Sequence, residues 1–272
     1  MEKKGKLVIC GGNISVSAKK IFTRFAQYAT LDRTKIVVVV SASDEPIESF
    51  DATKDKLISV GVPKEDIFML PLFDKEVATQ LGLANARHQE LLDILSNATG
   101  VWFTGGSQLR TTALFLNEDF TDTIYLKSIR QVLVRGGVIG GSSAGAAIMS
   151  KVMIGNGTDE GCLAYPPITC VKEYFSDKSN EEHEKLLITK GLGFFDGGII
   201  DQHFNTRARQ RRLITTMKYT STPYGYGISE DTGLIYNIAS GAIEVLGSAY
   251  VYKIVLADNE TTIERITENA KC

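Results

Sequence analysis

Continuous apolar runs alternate with longer amphipathic segments along the N-terminal half of the chain. The runs KLVIC, KIVVVVS and DIFMLPL are apolar at nearly every position, whereas SAKKIFTRFAQYA and LANARHQELLDILSNA carry apolar residues at helical spacing. Such unbroken apolar runs are typical of strands in a parallel sheet, because the crossover helices cover both faces of the sheet. The pattern therefore predicts an α/β fold in which helices flank a mostly parallel central sheet.

The pattern changes after residue 150. The segment 155–186 is rich in Gly, Pro and charge, which predicts a long excursion over one edge of the sheet or over the functional site. The runs GYGISE, GLIYNI, AIEVLG and AYVYKIVLA follow at close spacing with turn residues between them, and they predict an antiparallel C-terminal extension. Because no linker interrupts the chain, residues 1–272 are predicted to form one domain.

Composition and charge narrow the classes of function. The 272 residues are 43% hydrophobic and 23% charged, and the formal net charge of −2 does not favour a nucleic-acid or membrane-surface partner. No apolar stretch reaches the ~20 residues that span a bilayer. The four cysteines lack C-x-x-C spacing and the three histidines lie far from them. We expect a soluble cytoplasmic protein without a metal or a cofactor.

The stretch GGVIGGSSAGAAIMS, residues 136–150, predicts a strand that turns sharply into a helix. Small residues are needed on both sides of such a turn, and the frame G-x-S-x-G centres Ser143 rather than Ser142. A serine exposed there can act as a nucleophile, and the N–H of Ala144 at the helix start can stabilise an oxyanion. The run WFTGGSQLR ends a second strand in two glycines, of which we choose Gly106 as a second oxyanion donor.

A serine nucleophile needs a base, and His203 is the histidine that follows an apolar run, in GGIIDQHF. His88 and His183 lie in polar and charged segments, where a solvated surface position is the usual one. The acid that would orient His203 has two main candidates, Glu160 in NGTDEG and Glu230 in GISED. Asp201 shares a strand face with His203 and is not excluded as the acid.

Four arginines follow the histidine within the short run RARQRR. Arg207 and Arg211 would share one face of an ideal helix, and Arg209 and Arg212 another. Such a run is usually a solvated helix face. Its place directly after a candidate catalytic strand favours the recognition of carboxylates instead, since guanidinium binds a carboxylate in a bidentate fork.

Taken together, FTGGSQLR, GGSSAGAAIM, DQHFNTRARQRRL and GISEDT resemble the peptidase S51 family, and its cyanophycinase branch more than its aspartyl dipeptidase branch. The resemblance covers most of the chain and implies a fold related to class I glutamine amidotransferases. It implies a serine exopeptidase that hydrolyses β-aspartyl-arginine linkages of cyanophycin to β-Asp-Arg dipeptides. The expected partners are this polymer or another β-aspartyl peptide and, in a homodimer, a second copy of the chain.

By position, the resemblance implies Ser143 as the nucleophile, His203 as the base and Glu160 as the acid. It places other residues around the substrate pocket, namely Gln108, Ser142, Asp201, Gln202, Arg207, Arg209 and Arg212, whereas Arg211 does not match. The chain departs from the acidic GGAEDK-like turn of cyanophycinases, since it has GGNISVS after the first strand. An α-aspartyl dipeptidase, an esterase and a non-catalytic ligand-binding relative are the alternatives.

Overall fold

The computed structural model describes residues 5–72, 85–257 and 260–268. Its strands are, in chain order, β1 Lys6–Cys10, β2 Ile36–Val39, β3 Ile67–Leu70, β4 Gly100–Phe103, β5 Val138–Ser142, β6 Val152–Asn156, β7 Leu187–Lys190, β8 Ile199–Asp201, β9 Tyr224–Ile228, β10 Thr232–Asn237, β11 Ile243–Gly247, β12 Val251–Ala257 and β13 Glu260–Ile266. The helices are α1 Ala18–Ala29, α2 Pro46–Ser59, α3 Asn85–Ser96, α4 Gln108–Phe115, α5 Ile124–Val134, α6 Ala144–Ala147, α7 Asp159–Ala164, α8 Val171–Ser176, α9 Ser179–Glu182 and α10 Gln210–Tyr219, with a short 3₁₀ turn at Lys64–Asp66.

A seven-stranded sheet forms the centre of the molecule, in the order β11-β10-β1-β5-β4-β2-β3. Strands β1, β5, β4, β2 and β3 are parallel, and β10 and β11 add antiparallel strands beside β1. The prediction of a mostly parallel sheet flanked by helices is confirmed.

The predicted C-terminal extension is divided between two sheets. Strands β10 and β11 extend the central sheet, whereas β9, β12 and β13 join β8 in a second sheet of order β13-β12-β9-β8. Strand β9 is antiparallel to β12 but parallel to β8, so it links the C-terminal hairpins to the segment that carries His203.

Helix α1 shows how the amphipathic segments cover the sheet. Its buried residues recur at helical spacing, and Phe22 and Phe25 lie with ring centroids 4.6 Å and 5.1 Å from that of Trp102 on β4. Burying one such phenylalanine contributes about 1.5–3 kcal/mol to folding. A second apolar cluster covers the opposite face, and it includes side chains from β8, β9 and β12.

The predicted excursion is the segment between β6 and β7, which contains α7, α8 and α9 and packs against the start of β7. A Cβ on Gly161 would lie 2.1 Å from the carbonyl oxygen of Glu184, so α7 packs directly on the turn before β7. The carboxylate of Asp159 accepts hydrogen bonds from the backbone N–H groups of Arg211 and Arg212, each 2.8 Å long, at the start of α10. The excursion therefore forms a layer that also supports the helix after His203.

The topology gathers several strand ends at one place. Cys10 on β1 pairs with Ser142 on β5, Phe103 on β4 pairs with Gly141, and Val39 on β2 pairs with Phe103. The carboxyl ends of four parallel strands therefore meet at the same edge, where open α/β sheets bind ligands.

Candidate active site

Ser143 is the single residue between β5 and α6, and its backbone conformation is strained. Its φ of 55° and ψ of −114° are unusual for a non-glycine residue, and its N–H donates to the carbonyl oxygen of Cys10 over 3.1 Å. Neighbouring glycines allow the turn, because a Cβ on Gly141 would lie 2.5 Å from the carbonyl oxygen of Gly145. The sharp turn predicted around Ser143 is therefore present.

His203 lies two residues past the end of β8, where its ring faces Ser143. Its Nε2 is 2.9 Å from Oγ of Ser143, and its Nδ1 is 2.5 Å from Oε1 of Glu230. The N–H of His203 donates to the carbonyl oxygen of Gly11 over 2.7 Å, and its φ of 47° is left-handed. Ser143, His203 and Glu230 thus form a hydrogen-bonded chain of the kind used in serine hydrolases.

Glu230, and not Glu160, contacts the imidazole, which corrects the choice of Glu160 as the acid. Glu160 is exposed on α7 and has no hydrogen bond to His203. The physical reason is the parallel pairing of β8 with β9, in which Asp201 lies beside Gly227. Residues that follow these two strand ends meet in space, although they are 27 positions apart in the chain.

The surroundings of the pair favour a neutral imidazole beside an ionised carboxylate. Burial lowers the pKa of His203, the cations Arg207 and Arg209 lower it further, and Glu230 opposes them. The hydrogen bond from His203 holds the pKa of Glu230 below its usual value, with a further contribution from Asn13. A neutral Nε2 can accept the hydroxyl proton of Ser143, which is what a general base must do.

The loop after β1 supports the imidazole in a way that the sequence analysis missed. A Cβ on Gly12 would lie 2.3 Å from Cε1 and 2.5 Å from Nε2 of His203, so the ring packs directly on the Gly12 backbone. Gly12 also has a φ of +116°, which L side chains rarely adopt. Two consecutive glycines after a buried strand were the signal that could have identified this contact.

The turn after β4 lies beside the serine. A Cβ on Gly105 would lie 3.4 Å from the Cβ of Ser143, and Gly106 has a φ of +131° with its α-carbon against the carbonyl of Ala42. Ala144 is the first residue of α6, so its N–H lacks an acceptor within the helix. The assignments of Ala144 and Gly106 as oxyanion donors stay predictions.

Asp201 and Arg212 are paired with each other in the interior, which corrects their placement in the substrate pocket. Nε and Nη2 of Arg212 donate to the two carboxylate oxygens of Asp201 over 2.8 Å and 2.5 Å, and both side chains are at most 3% exposed. Nη1 of Arg212 donates to the carbonyl oxygen of Gly157 over 2.5 Å. This ion pair ties β8, α10 and the excursion together, and its donors and acceptors are engaged within the interior.

Arg209 is partly buried and shares the carboxylate of Asp201 with Arg212. Its Nη1 donates to the backbone and side-chain carbonyl oxygens of Gln202, each over 2.8 Å, and lies 4.0 Å from Asp201, which Arg212 already engages. Burial, followed by the charge of Arg212, lowers the pKa of Arg209 to about 10. Arg207 is exposed on the turn between His203 and α10.

The other residues expected in the pocket have different surroundings. The amide of Gln108 donates to the carbonyl oxygens of Ile154 and Gly155 over 3.0 Å and 2.9 Å, so it fastens α4 to β6. Ser142 is half-buried at the end of β5. The ring of His183 stacks on Tyr165 at the surface, and the side chain of His88 lies outside the described part of the chain.

The residues that the structure describes contain neither a candidate metal site nor a candidate membrane span. Among them, no group of three or more His, Cys, Asp or Glu side chains could hold a metal ion. No helix within the same ranges combines the length and the apolar character needed to cross a membrane.

Comparison with known proteins places the chain among peptidases. The model of peptidase family S51 matches residues 73–241. The chain belongs to peptidase family S51. The S51 family assignment makes it a serine-type peptidase, in agreement with the resemblance seen in the sequence.

Its S51 relatives include two cyanophycinases. That of Synechococcus elongatus is 32% identical over 91% of this chain and 67% of its own length, and that of Geminocystis herdmanii is 29% identical over 90% and 78%. A solved structure described as a peptidase from an acI-B1 Actinobacterium has a TM-score of 0.69 at 18% identity and covers 99% of this chain and 96% of its own. This last similarity is one of fold.

Proposed function

We propose that this S51 peptidase is a serine exopeptidase that releases β-Asp-Arg dipeptides from cyanophycin. Because the β-aspartyl-arginine linkage survives in that product, the bond hydrolysed is the backbone amide between successive aspartates. The observation that carries the proposal is the hydrogen-bonded chain Ser143–His203–Glu230 at the edge where the parallel strands end. Relatives named cyanophycinase, which align along nine-tenths of the chain, support the choice of substrate.

In the proposed mechanism, Oγ of Ser143 attacks the carbonyl carbon of the scissile amide while Nε2 of His203 takes the hydroxyl proton. Glu230 accepts the hydrogen bond from Nδ1 and stabilises the imidazolium. The N–H of Ala144 and the Gly105–Gly106 turn would stabilise the oxyanion. The imidazolium then protonates the leaving amine, and water, activated by the same ring, hydrolyses the acyl-enzyme to release the aspartyl product and free Ser143.

The charges near His203 fit a substrate that is rich in carboxylates. Asp201 is neutralised by Arg212, so Arg209 and the exposed Arg207 leave a net positive charge beside the base. Each residue of cyanophycin carries an arginine with a free carboxylate, which a guanidinium binds well. Asp201 is not free to receive the substrate's own guanidinium, so that group would have to bind another acid or remain in solvent.

The test is digestion of cyanophycin by the full chain, with soluble products identified by mass spectrometry and by comparison with synthetic β-Asp-Arg. We expect β-Asp-Arg from the native enzyme, none from Ser143→Ala, and appreciable activity from Ser142→Ala, because the His203 ring hydrogen-bonds to Ser143 and not to Ser142. A parallel assay supplies the free dipeptides α-Asp-Arg and β-Asp-Arg, and the proposed enzyme should leave β-Asp-Arg intact. Hydrolysis of α-Asp-Arg without release of β-Asp-Arg from cyanophycin would contradict the proposal and favour an α-aspartyl dipeptidase.

A further inference from the structure

The loop after β1 contacts the candidate acid as well as the base. In place of the acidic turn expected from the resemblance, this chain has Gly11-Gly12-Asn13-Ile14-Ser15. Nδ2 of Asn13 donates a hydrogen bond of 3.1 Å to Oε2 of Glu230. The other carboxylate oxygen, Oε1, accepts from His203 and from the hydroxyl of Thr206, which is 3.1 Å away. Each oxygen of Glu230 therefore has its own donor.

Glu230 needs such support because its position is not fixed by burial. Its side chain is 23% exposed, whereas that of His203 is 9% exposed. The terminal torsion of a glutamate is broad, so a partly exposed carboxylate that bonds through one oxygen can rotate about that bond. A donor on Oε2 restricts this rotation and keeps Oε1 directed at Nδ1 of the imidazole.

The backbone of the loop is itself tied to the turn that carries Glu230. The carbonyl oxygen of Gly12 accepts from the N–H of Asp231 over 3.0 Å, and Oδ1 of Asp231 accepts from the N–H groups of Ser15 and Ser17 over 3.0 Å and 2.9 Å. Asn13 has a φ of 41°, which asparagine tolerates better than most residues. The amide is thus presented to Glu230 from a backbone that the neighbouring Asp231 fixes.

We propose that Asn13 is a positioning residue, which holds Glu230 in the orientation that keeps the His203 ring directed at Ser143. The proposal rests on the proposed roles of Ser143, His203 and Glu230, but not on the identity of the substrate. It gives a function to the turn at which this chain departs from the acidic turn expected from the resemblance.

The experiment measures the reaction of Ser143 with phenylmethylsulfonyl fluoride, followed by intact mass over a range of pH, because this reaction needs an activated serine and no peptide substrate. Asn13→Gly removes the amide and accepts a left-handed φ without strain. Asn13→Asp retains the shape but places a second carboxylate beside Glu230. Val16→Ala is the control in the same loop, since Val16 is 83% exposed.

We expect Asn13→Gly to react about three- to tenfold more slowly than the native enzyme at a pH where the imidazole is neutral, with little change in Tm, which is the scale of losing one typical hydrogen bond. The charged groups around the ring are Glu230, Arg207 and Arg209, so the extra anion in Asn13→Asp should move the midpoint of the pH profile upward. Val16→Ala should react at the native rate.

A native rate and an unchanged midpoint in both Asn13 variants would overturn the proposal, as would an equal loss in Val16→Ala. A large fall in Tm that accounts for the slower reaction would also overturn it, because the role would then be in folding. If the native chain reacts at Ser143 but leaves cyanophycin intact, the proposed substrate fails while the role of Asn13 stands. If Ser143 of the native chain does not react, both proposals fail.

Discussion

The two glutamates considered as the acid differ in what their side chains contact. Glu230 lies 2.5 Å from the imidazole of His203, whereas Glu160 is exposed on the surface of α7. We expect Glu230→Gln to lower kcat by on the order of 10³–10⁴, the scale seen when the orienting carboxylate of a serine protease is made an amide. Glu160→Gln is the matched control and should retain near-native kcat. Steady-state kinetics of β-Asp-Arg release from cyanophycin tests this, and a larger loss in Glu160→Gln would contradict it.

The pH dependence of kcat/KM is expected to follow the protonation of one residue, His203. A protonated imidazole cannot take the proton of Ser143, so kcat/KM should fall as the pH drops through the pKa of His203. Because burial lowers that pKa, we expect the acidic midpoint to lie below the ordinary value of about 6.5. A pH profile of kcat/KM measures it directly. A midpoint clearly above that value would mean that the carboxylate of Glu230 outweighs burial and the nearby arginines.

At the scale of elements, the loop after β1 can be tested at a glycine. Gly12→Ala would place a methyl group against the His203 ring, and we expect a loss of activity on the order of 10²-fold, typical of a catalytic group displaced by about 1 Å. Gly61→Ala is the control, because Gly61 also has a positive φ, +94°, but has open space around its α-carbon. Both variants should lose stability through backbone strain. Equal activity in the two would show that the ring does not depend on Gly12.

The ion pair between β8 and α10 is a second element-level feature. Arg212→Met would leave the carboxylate of Asp201 buried without its partner, and we expect a loss of about 3–5 kcal/mol in the free energy of unfolding. The exposed neighbour Arg211 is the control, and Arg211→Met should change stability by less than about 0.5 kcal/mol. Urea unfolding measures both variants. A small effect of Arg212→Met would mean that Asp201 gains solvent or another partner.

At the scale of the whole molecule, one apolar cluster joins the two larger sheets. It contains Val101 and Ile139 of the central sheet together with Ile200, Ile228 and Val251 of the second. We therefore propose a single domain and expect one cooperative unfolding transition. Fluorescence of Trp102, the only tryptophan of the chain, reports on the central sheet, and far-UV circular dichroism reports on both. The two transitions should coincide, and separate midpoints would indicate two domains.

The sequence determined the central sheet and the turn at Ser143 because both depend on local properties. A strand covered on both faces needs apolar residues at nearly every position, as in Val37–Val40, and a strained strand-to-helix turn needs small neighbours such as Gly141 and Gly145. These requirements are met by residues close together in the chain, so the pattern of a short segment reveals them.

Tertiary structure alone decided which residues surround His203. The parallel pairing of β8 with β9 brought Glu230 to the imidazole, and the return of α10 across β8 paired Arg212 with Asp201, 11 positions away. The loop after β1 reached Glu230 because the end of β1 pairs with the start of β10, and it lies near Ser143 because β1 also pairs with β5. Strand order and register are set by the packing of the whole core rather than by any one segment, so no local pattern specified the partners in these contacts.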